Sequence, residues 1–295
     1  MTNLLKRINL HGMNAFYTSS FFCRFFKVFN GLVLLVLSCS AQENNTYEFP
    51  EENYSQSYCH GHRFLLGPEV VHAERIRDFG CKQSGWLGGI RFIYEHRRRY
   101  CFYWGIEGAY SWGTYRGHTA KRDENGNSIK TWPIKSKEKD GIIEGRFGYT
   151  FQCKNWWRPE FTPFIGGGYV RELNILTPPS VAGFHSKFTY GYITAGFLSS
   201  ISPTQYLTLG LNVKVRYIMD PKCRVTHDPR QPDGVKFPMG DENLQYRIEL
   251  PISCITSCKQ WGVTSIPFYE HRYYGCKRFH PNDIPKFCYY NYGAT

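Results

Sequence analysis

No stretch of this 295-residue chain is long and apolar enough to cross a bilayer as a helix. The apolar run Val28–Leu37 is short, and Asn30 and Gly31 interrupt it. Mean hydropathy is −0.45 and charged residues make up 20%, which excludes a helical membrane protein. Chemical motifs are also scarce. Gly166-Gly167-Gly168 lacks the Lys-Ser/Thr and the helix that a phosphate cradle requires, so it reads as closely packed strand glycine. Cys254-Ile-Thr-Ser-Cys258 is half of a metal site with no second half at metal-site spacing. No aromatic-and-basic nucleic-acid motif accompanies the net charge of +12. No catalytic residue, metal, cofactor or nucleic acid is therefore expected.

The N-terminus carries a different message. Arg24 and Lys27 precede the apolar run, and Ser38-Cys39-Ser40-Ala41 supplies small residues for cleavage. This is the secretory signal pattern, over residues 1–41. Cys39 also stands where a lipidated cysteine would. Cleavage removes Lys6, Arg7, Arg24 and Lys27 and no acid, so the formal charge of +12 falls to +8. That excess suits anionic lipid head groups. Residues 42–60 then form an N-terminal segment, and residues 61–295 the main domain.

Aromatics are 17% of the chain, with 22 Tyr and 22 Phe, beside 28 Gly. From His62 onward apolar and polar residues alternate with period two, the strand signal. Clear cases are Trp86–Glu95, Phe102–Thr114, Gly141–Cys153, Tyr206–Tyr217 and Asn243–Ile252. Less regular ones are His62–Arg77, Phe161–Leu173, Phe184–Leu198 and Trp261–Tyr273, and Phe287–Thr295 supplies a tenth. Many exceed the five or six residues usual in globular strands. One face of each is apolar and aromatic, the other Gly, small polar and charged. That pattern predicts an all-β, antiparallel, up-and-down transmembrane barrel of ten strands. Either the last of the ten strands is incomplete, or the barrel closes with eight strands and the rest is peripheral.

Connections sort into two sets. Arg97–Tyr100, Lys154–Pro159, Ser202–Thr204 and Thr256–Gln260 are short and expected on the periplasmic side. Asp78–Gln83, Thr119–Asp140, Thr177–Gly183, Pro221–Glu242 and Gly275–Pro285 are the outer loops.

With its signal segment, aromatic strands and alternating loops, the chain resembles the small outer-membrane barrel proteins of diderm bacteria. Gly67-Pro68-Glu69-Val70, Gln83-Ser84-Gly85-Trp86 and Glu144-Gly145-Arg146-Phe147-Gly148-Tyr149 look like uncharacterised barrels of Chlamydia-like bacteria. The resemblance implies a bacterial outer-membrane location, contact with outer-membrane lipid and lipopolysaccharide, and disulfide-linked envelope proteins as partners. Such barrels end in an aromatic residue, whereas this chain ends Gly293-Ala294-Thr295.

The inward charges predicted by parity are Glu69, Arg91, Glu107, Glu144, Arg146, Lys214, Arg216, Arg247 and Glu249. Both signs are nearly balanced. An unpaired buried charge costs several kcal/mol, so a cross-paired, filled lumen is expected. That makes a structural or surface-interaction role the leading expectation. A narrow channel for small solutes is the second reading. A surface hydrolase is the third, with rim candidates Asp78, His118, His185, Asp220, His227 and Asp228.

Nine cysteines follow Ala41, an odd number. Cys81, Cys223 and Cys276 are placed outside, and Cys59, Cys101, Cys153, Cys254 and Cys258 on the periplasmic side. Disulfides are expected only within each group.

Overall fold

The computed structural model describes residues 61–77, 81–122, 128–153, 157–180, 183–204, 206–228, 233–239, 244–256, 261–274 and 287–295. The proposed signal segment and the segment 42–60 lie outside them. The described residues form β1 His62–Arg77, β2 Cys81–His96, β3 Cys101–Arg122, β4 Ser128–Gln152, β5 Glu160–Thr177, β6 His185–Ile201, β7 Leu207–Thr226, β8 Val235–Pro238, β9 Leu244–Glu249, β10 Ile252–Ile255, β11 Gly262–Ser265, β12 Phe268–Tyr274 and β13 Phe287–Ala294. No helix is present among them.

Strands β1 to β7 pair antiparallel in chain order. β7 then pairs with β9, β9 with β12, β12 with β13, and β13 with β1. The sheet thus closes on itself as a barrel of 10 strands. The eight-strand alternative is overturned, because β13 is hydrogen-bonded on both sides.

Two of the ten strands are divided. β9 and β10 both lie against β7, β9 along Asn212–Tyr217 and β10 along Leu207–Leu209. They form one strand interrupted at Leu250-Pro251. β11 and β12 are likewise interrupted at Ile266-Pro267. Proline has no N–H to give to a ladder, so each run breaks there. The breaks face one another: Leu250 N–H donates to Pro267 O at 2.9 Å, and Gly210 N–H to Pro251 O at 2.7 Å.

β13 meets only half of β1. Val70–Arg77 pair with Phe287–Ala294, whereas His62–Glu69 pair with β2 alone among the described residues. Arg63 reaches across this interval, donating from Nη2 to Ser253 Oγ (2.9 Å) and Thr264 Oγ1 (3.2 Å).

The long connections expected from the sequence are largely strand. β4 starts at Ser128, well before the predicted Gly141, and pairs with β3 as far as Arg122. Most of Thr119–Asp140 is therefore a hairpin standing beyond the ring. β7 runs to Thr226, and β8 pairs with its residues Lys222–Val225, so Pro221–Glu242 is also partly sheet. Charged and glycine residues hid the period in both segments. We call this the hairpin end, and the opposite end the turn end.

Alternation sorts the side chains. Phe64, Leu66, Trp86 and Ile165 point outward and are 63%, 62%, 62% and 66% exposed. Phe102, Trp112, Ile143, Phe147, Ile193, Tyr217 and Tyr292 are exposed on the same outer surface. The inner face holds buried charge, flanked by apolar clusters. One groups Val170, Phe188, Tyr190, Tyr192 and Ile218, a second Val71, Leu87, Tyr115 and Phe268, and a third Tyr103, Phe164 and Leu198.

Strand β6 departs from the general rule. Its aromatic parity, Phe188, Tyr190 and Tyr192, faces the lumen and is buried. The tyrosine hydroxyls explain this, since both donate to lumen carboxylates described below.

Candidate functional site

Many ionisable groups of the described residues converge in the lumen. All nine charges predicted from parity, Glu69, Arg91, Glu107, Glu144, Arg146, Lys214, Arg216, Arg247 and Glu249, point inward and are buried. They come from strands β1, β2, β3, β4, β7 and β9, and closure of the ring brings them together.

Glu107 on β3 sits at the centre. Arg91 Nη2 donates to it at 2.5 Å, Lys214 Nζ at 2.8 Å, and Arg146 is a third donor. Glu144 accepts from Lys214 Nζ (3.2 Å), Arg216 Nε (3.1 Å) and the Tyr192 hydroxyl (2.8 Å). Glu249 accepts from Arg247 Nε at 2.7 Å and Asn212 Nδ2 at 3.2 Å, with Arg91 Nη1 3.3 Å away. Glu69 lies 3.5 Å from Arg91 Nε and accepts from Thr295 Oγ1 at 3.2 Å. Lys214 and Arg91 are thus each ion-paired with three carboxylates, Lys214 reaching Glu249 at 4.0 Å.

Sequence parity missed a further layer toward the hairpin end. Glu270 accepts from Arg216 Nη1 at 2.5 Å and from Arg272 Nε at 3.1 Å. Arg272 Nη1 donates to Asp140 (2.6 Å) and Glu172 (2.8 Å). Arg75 Nη2 donates to Glu138 at 2.8 Å, and Asn174 Nδ2 to the same carboxylate at 2.6 Å. The Tyr190 hydroxyl reaches Glu172 at 3.5 Å. Glu138 and Asp140 lay in a presumed loop, and Glu172, Glu270 and Arg272 in strands of ambiguous face. Period-two counting on β4 carried back to Lys135 would have found the first two.

Aromatic faces cover the cations. Arg216 lies 5.0 Å from the Tyr192 ring centre, Arg75 5.5 Å from Tyr115 and Arg146 5.5 Å from Phe164. Weakly hydrated guanidinium tolerates such burial better than ammonium, consistent with one lysine among seven buried bases.

A cavity of about 20 Å³ borders Glu69, Asp140, Glu270 and Asn291. It admits roughly one water. Asp140 Oδ1 and Asn291 Oδ1 on its wall accept no hydrogen bond from described residues, which suits that occupant.

No family model matches the chain, and no curated protein matches it. The likeness to barrels of Chlamydia-like bacteria therefore rests on its short segments alone. Solved structures do match at low identity. The transport unit of the autotransporter AIDA-I from Escherichia coli is 11% identical, covering 88% of this chain and 96% of its own, with a TM-score of 0.37. A ΔS2S3 mutant of the monoaromatic hydrocarbon channel TodX is 11% identical, covering 83% and 91%, with a TM-score of 0.33. Ail, the attachment invasion locus protein of Yersinia pestis, is 11% identical, covering 79% and 96%, at 0.28.

The rim residues divide. Asp78 lies outside the described residues. His118 pairs in register with Lys82 on the outer surface. Asp220 is ion-paired with Lys222. His185 and His227 lie with ring centres 4.2 Å apart and planes tilted by 33°. The structure does not bring His118 to them, since it sits on β3 and they on β6 and after β7.

Cysteines follow the predicted ends. Cys101, Cys153 and Cys254 are at the turn end, and Cys81 and Cys223 at the hairpin end. Cys101 and Cys254, expected in disulfides, are thiols. Cys101 faces Thr150 across the ladder, and Cys254 faces Leu207 and Val263, so no cysteine stands opposite either. Cys59, Cys258 and Cys276 lie outside the described residues.

Proposed function

We propose that this chain is an integral outer-membrane barrel with a structural or surface-interaction role, held shut by its lumen charges. The observation that carries the reading is the filled lumen: among the described residues fifteen buried charged side chains cross-link the wall, and a cavity among them is about 20 Å³. Small barrels are filled in this way, while open aqueous channels need about sixteen strands. The outward band of Phe, Leu, Ile and Trp supports membrane insertion, because water does not favour so much exposed apolar surface on one face. In this reading the turn end faces the periplasm, and the hairpins of β3–β4 and β7–β8 face outward as the contact surface. Catalysis forms no part of the role.

Two measurements test it. Residues 42–295 refolded in detergent should run faster unheated than boiled, as closed barrels do. Inserted into a planar bilayer, the protein should pass no current above baseline. Steady ohmic steps would return the narrow channel to first place, and a water-soluble monomer would remove the membrane from the reading.

A further inference from the structure

Outward-facing charge is distributed unequally around the barrel. On the β4–β8 side, parity and register place Lys139, Arg171, Lys187, Lys222, Arg224 and Lys236 on the outer surface, toward the hairpin end. Lys139 pairs with Leu173, Leu173 with Lys187, Lys187 with Arg224, and Arg224 with Lys236. One row across five strands therefore holds four cations. The adjacent row aligns Arg171, Thr189 and Lys222. The acid facing this group is Asp220, which pairs with Lys222. The other five carry no ion pair with a described residue. Across the barrel, the outer surface of β1, β9, β12 and β13 presents His72, Tyr246, Tyr269, His271, Tyr290 and Tyr292 instead.

A second, independent feature lies below the cations. Gly145 of β4 and Gly167 of β5 pair directly on the outer face, and Gly191 of β6 lies diagonal to Gly167. Nothing lies within 4 Å of the position a Cβ would take on Gly145. The furrow floored by Gly145 has a volume of about 520 Å³ and is walled by Trp104, Ile106, Phe147, Ile165 and Ile193. Tyr169 stands between furrow and cations, 48% exposed. From Gly167 to Arg171 is four residues, roughly 13 Å along the strand.

A basic row above a tyrosine above an apolar furrow is the order of groups in a phosphorylated lipid read from head to tail. We propose that this face binds a phosphate-bearing lipid of the surrounding leaflet. Its phosphates sit among Lys139, Arg171, Lys187 and Arg224, and one acyl chain lies in the glycine furrow. The inference rests on membrane insertion as proposed above but not on the role of the lumen. Tyrosine at the interface and cations at head-group depth both fit this placement.

The test uses the refolded chain in phosphatidylcholine nanodiscs doped with lipid A, dephosphorylated lipid A or phosphatidylglycerol, with retained lipid read by native mass spectrometry. Lipid A should be retained about tenfold over its dephosphorylated form, as several head-group cations acting together would give. The phosphatidylglycerol arm shows whether one phosphate suffices. Arg171→Gln/Lys187→Gln/Arg224→Gln should bring lipid A down to the dephosphorylated level. Gly145→Leu, which fills the furrow, should lower retention of both lipid A forms alike. Lys82→Gln/Arg116→Gln, on the β2–β3 side, should change nothing. Unchanged lipid A retention in the triple variant, or equal retention with and without phosphate, overturns the proposal. Should the triple variant lose its heat-modifiable band, wild type at high salt gives the same reading, and retention insensitive to salt counts against the site. Wild type without a heat-modifiable band would instead defeat the barrel reading itself.

Discussion

Arg247 lies with its guanidinium carbon 3.7 Å from the centre of the Phe268 ring, across the β9–β12 pair. The same ring faces Arg91 at 5.9 Å, so one aromatic side chain covers two cations that share Glu249 and Glu69. Phe268→Leu keeps most of the apolar volume and removes the ring face. It should cost about 1–2 kcal/mol, the value of a desolvated cation–π contact, read as a lower urea midpoint for unfolding from detergent.

Glu107 accepts from three cations, and neutralising it strands them. Glu107→Gln should destabilise by roughly 3–5 kcal/mol, as expected when one member of a buried ion network is lost. Adding Lys214→Met to that variant removes one of the stranded charges. The double variant should then be more stable than the sum of the single changes predicts. Strict additivity in a double-mutant cycle would show that the network is not coupled.

Gly168 is inward, and a Cβ there would lie 2.4 Å from the Tyr192 hydroxyl and 2.4 Å from Ile143 O. Gly168→Ala should therefore displace Tyr192 from Glu144 and weaken the heat-modifiable band. Gly145→Ala, on the open outer surface of β4, should leave it intact.

Cys254 is exposed on the outer face of β10 at the turn end. A maleimide should modify it in the folded protein without prior reduction. Protection until a reductant is added would place Cys254 in a disulfide after all.

His185 is at the hairpin end, the first residue of β6 and beyond the apolar band. Burial, and then the neighbouring His227, push its pKa below the ordinary histidine value. The folded state thus favours the neutral ring. Any stability linked to it is present above the usual histidine range and is lost as pH falls. His227→Asn, chosen because residue 227 has φ 60 and Asn tolerates that region, should raise the His185 midpoint, read from imidazole NMR shifts.

Parity made most of the barrel legible. Where apolar and polar residues alternate without interruption, as in Phe102–Thr114, a strand and its inner face follow from side-chain direction alone, and Glu107 could be placed. The method failed where the outer face is itself polar. Lys135, Lys137 and Lys139 alternate with Ser136, Glu138 and Asp140, so both faces of β4 read as loop. It failed again at β6, where Tyr190 and Tyr192 count as apolar by composition yet serve as hydroxyl donors inside. Pro251 and Pro267 shifted the rhythm of their strands, which left Glu270 and Arg272 without an assigned face. Ring closure, which turns isolated charges into a network, depends on pairings between strands far apart in sequence, and no local pattern carries that information.

The half-length contact between β13 and β1 has a mechanical consequence. The ladders joining β1 to β7 in chain order are long, whereas the closing arc from β7 through β9, β12 and β13 back to β1 is held by short ones. At the β13–β1 seam of this arc the register holds over Val70–Arg77, and Arg63 bridges the remainder through side-chain hydrogen bonds to Ser253 and Thr264. The two proline breaks lie on the neighbouring strands, close to the same level. Tension or heat should therefore open the wall along this closing arc first, with Arg63 acting as a latch at the turn end, while the arc from β2 to β7 stays whole.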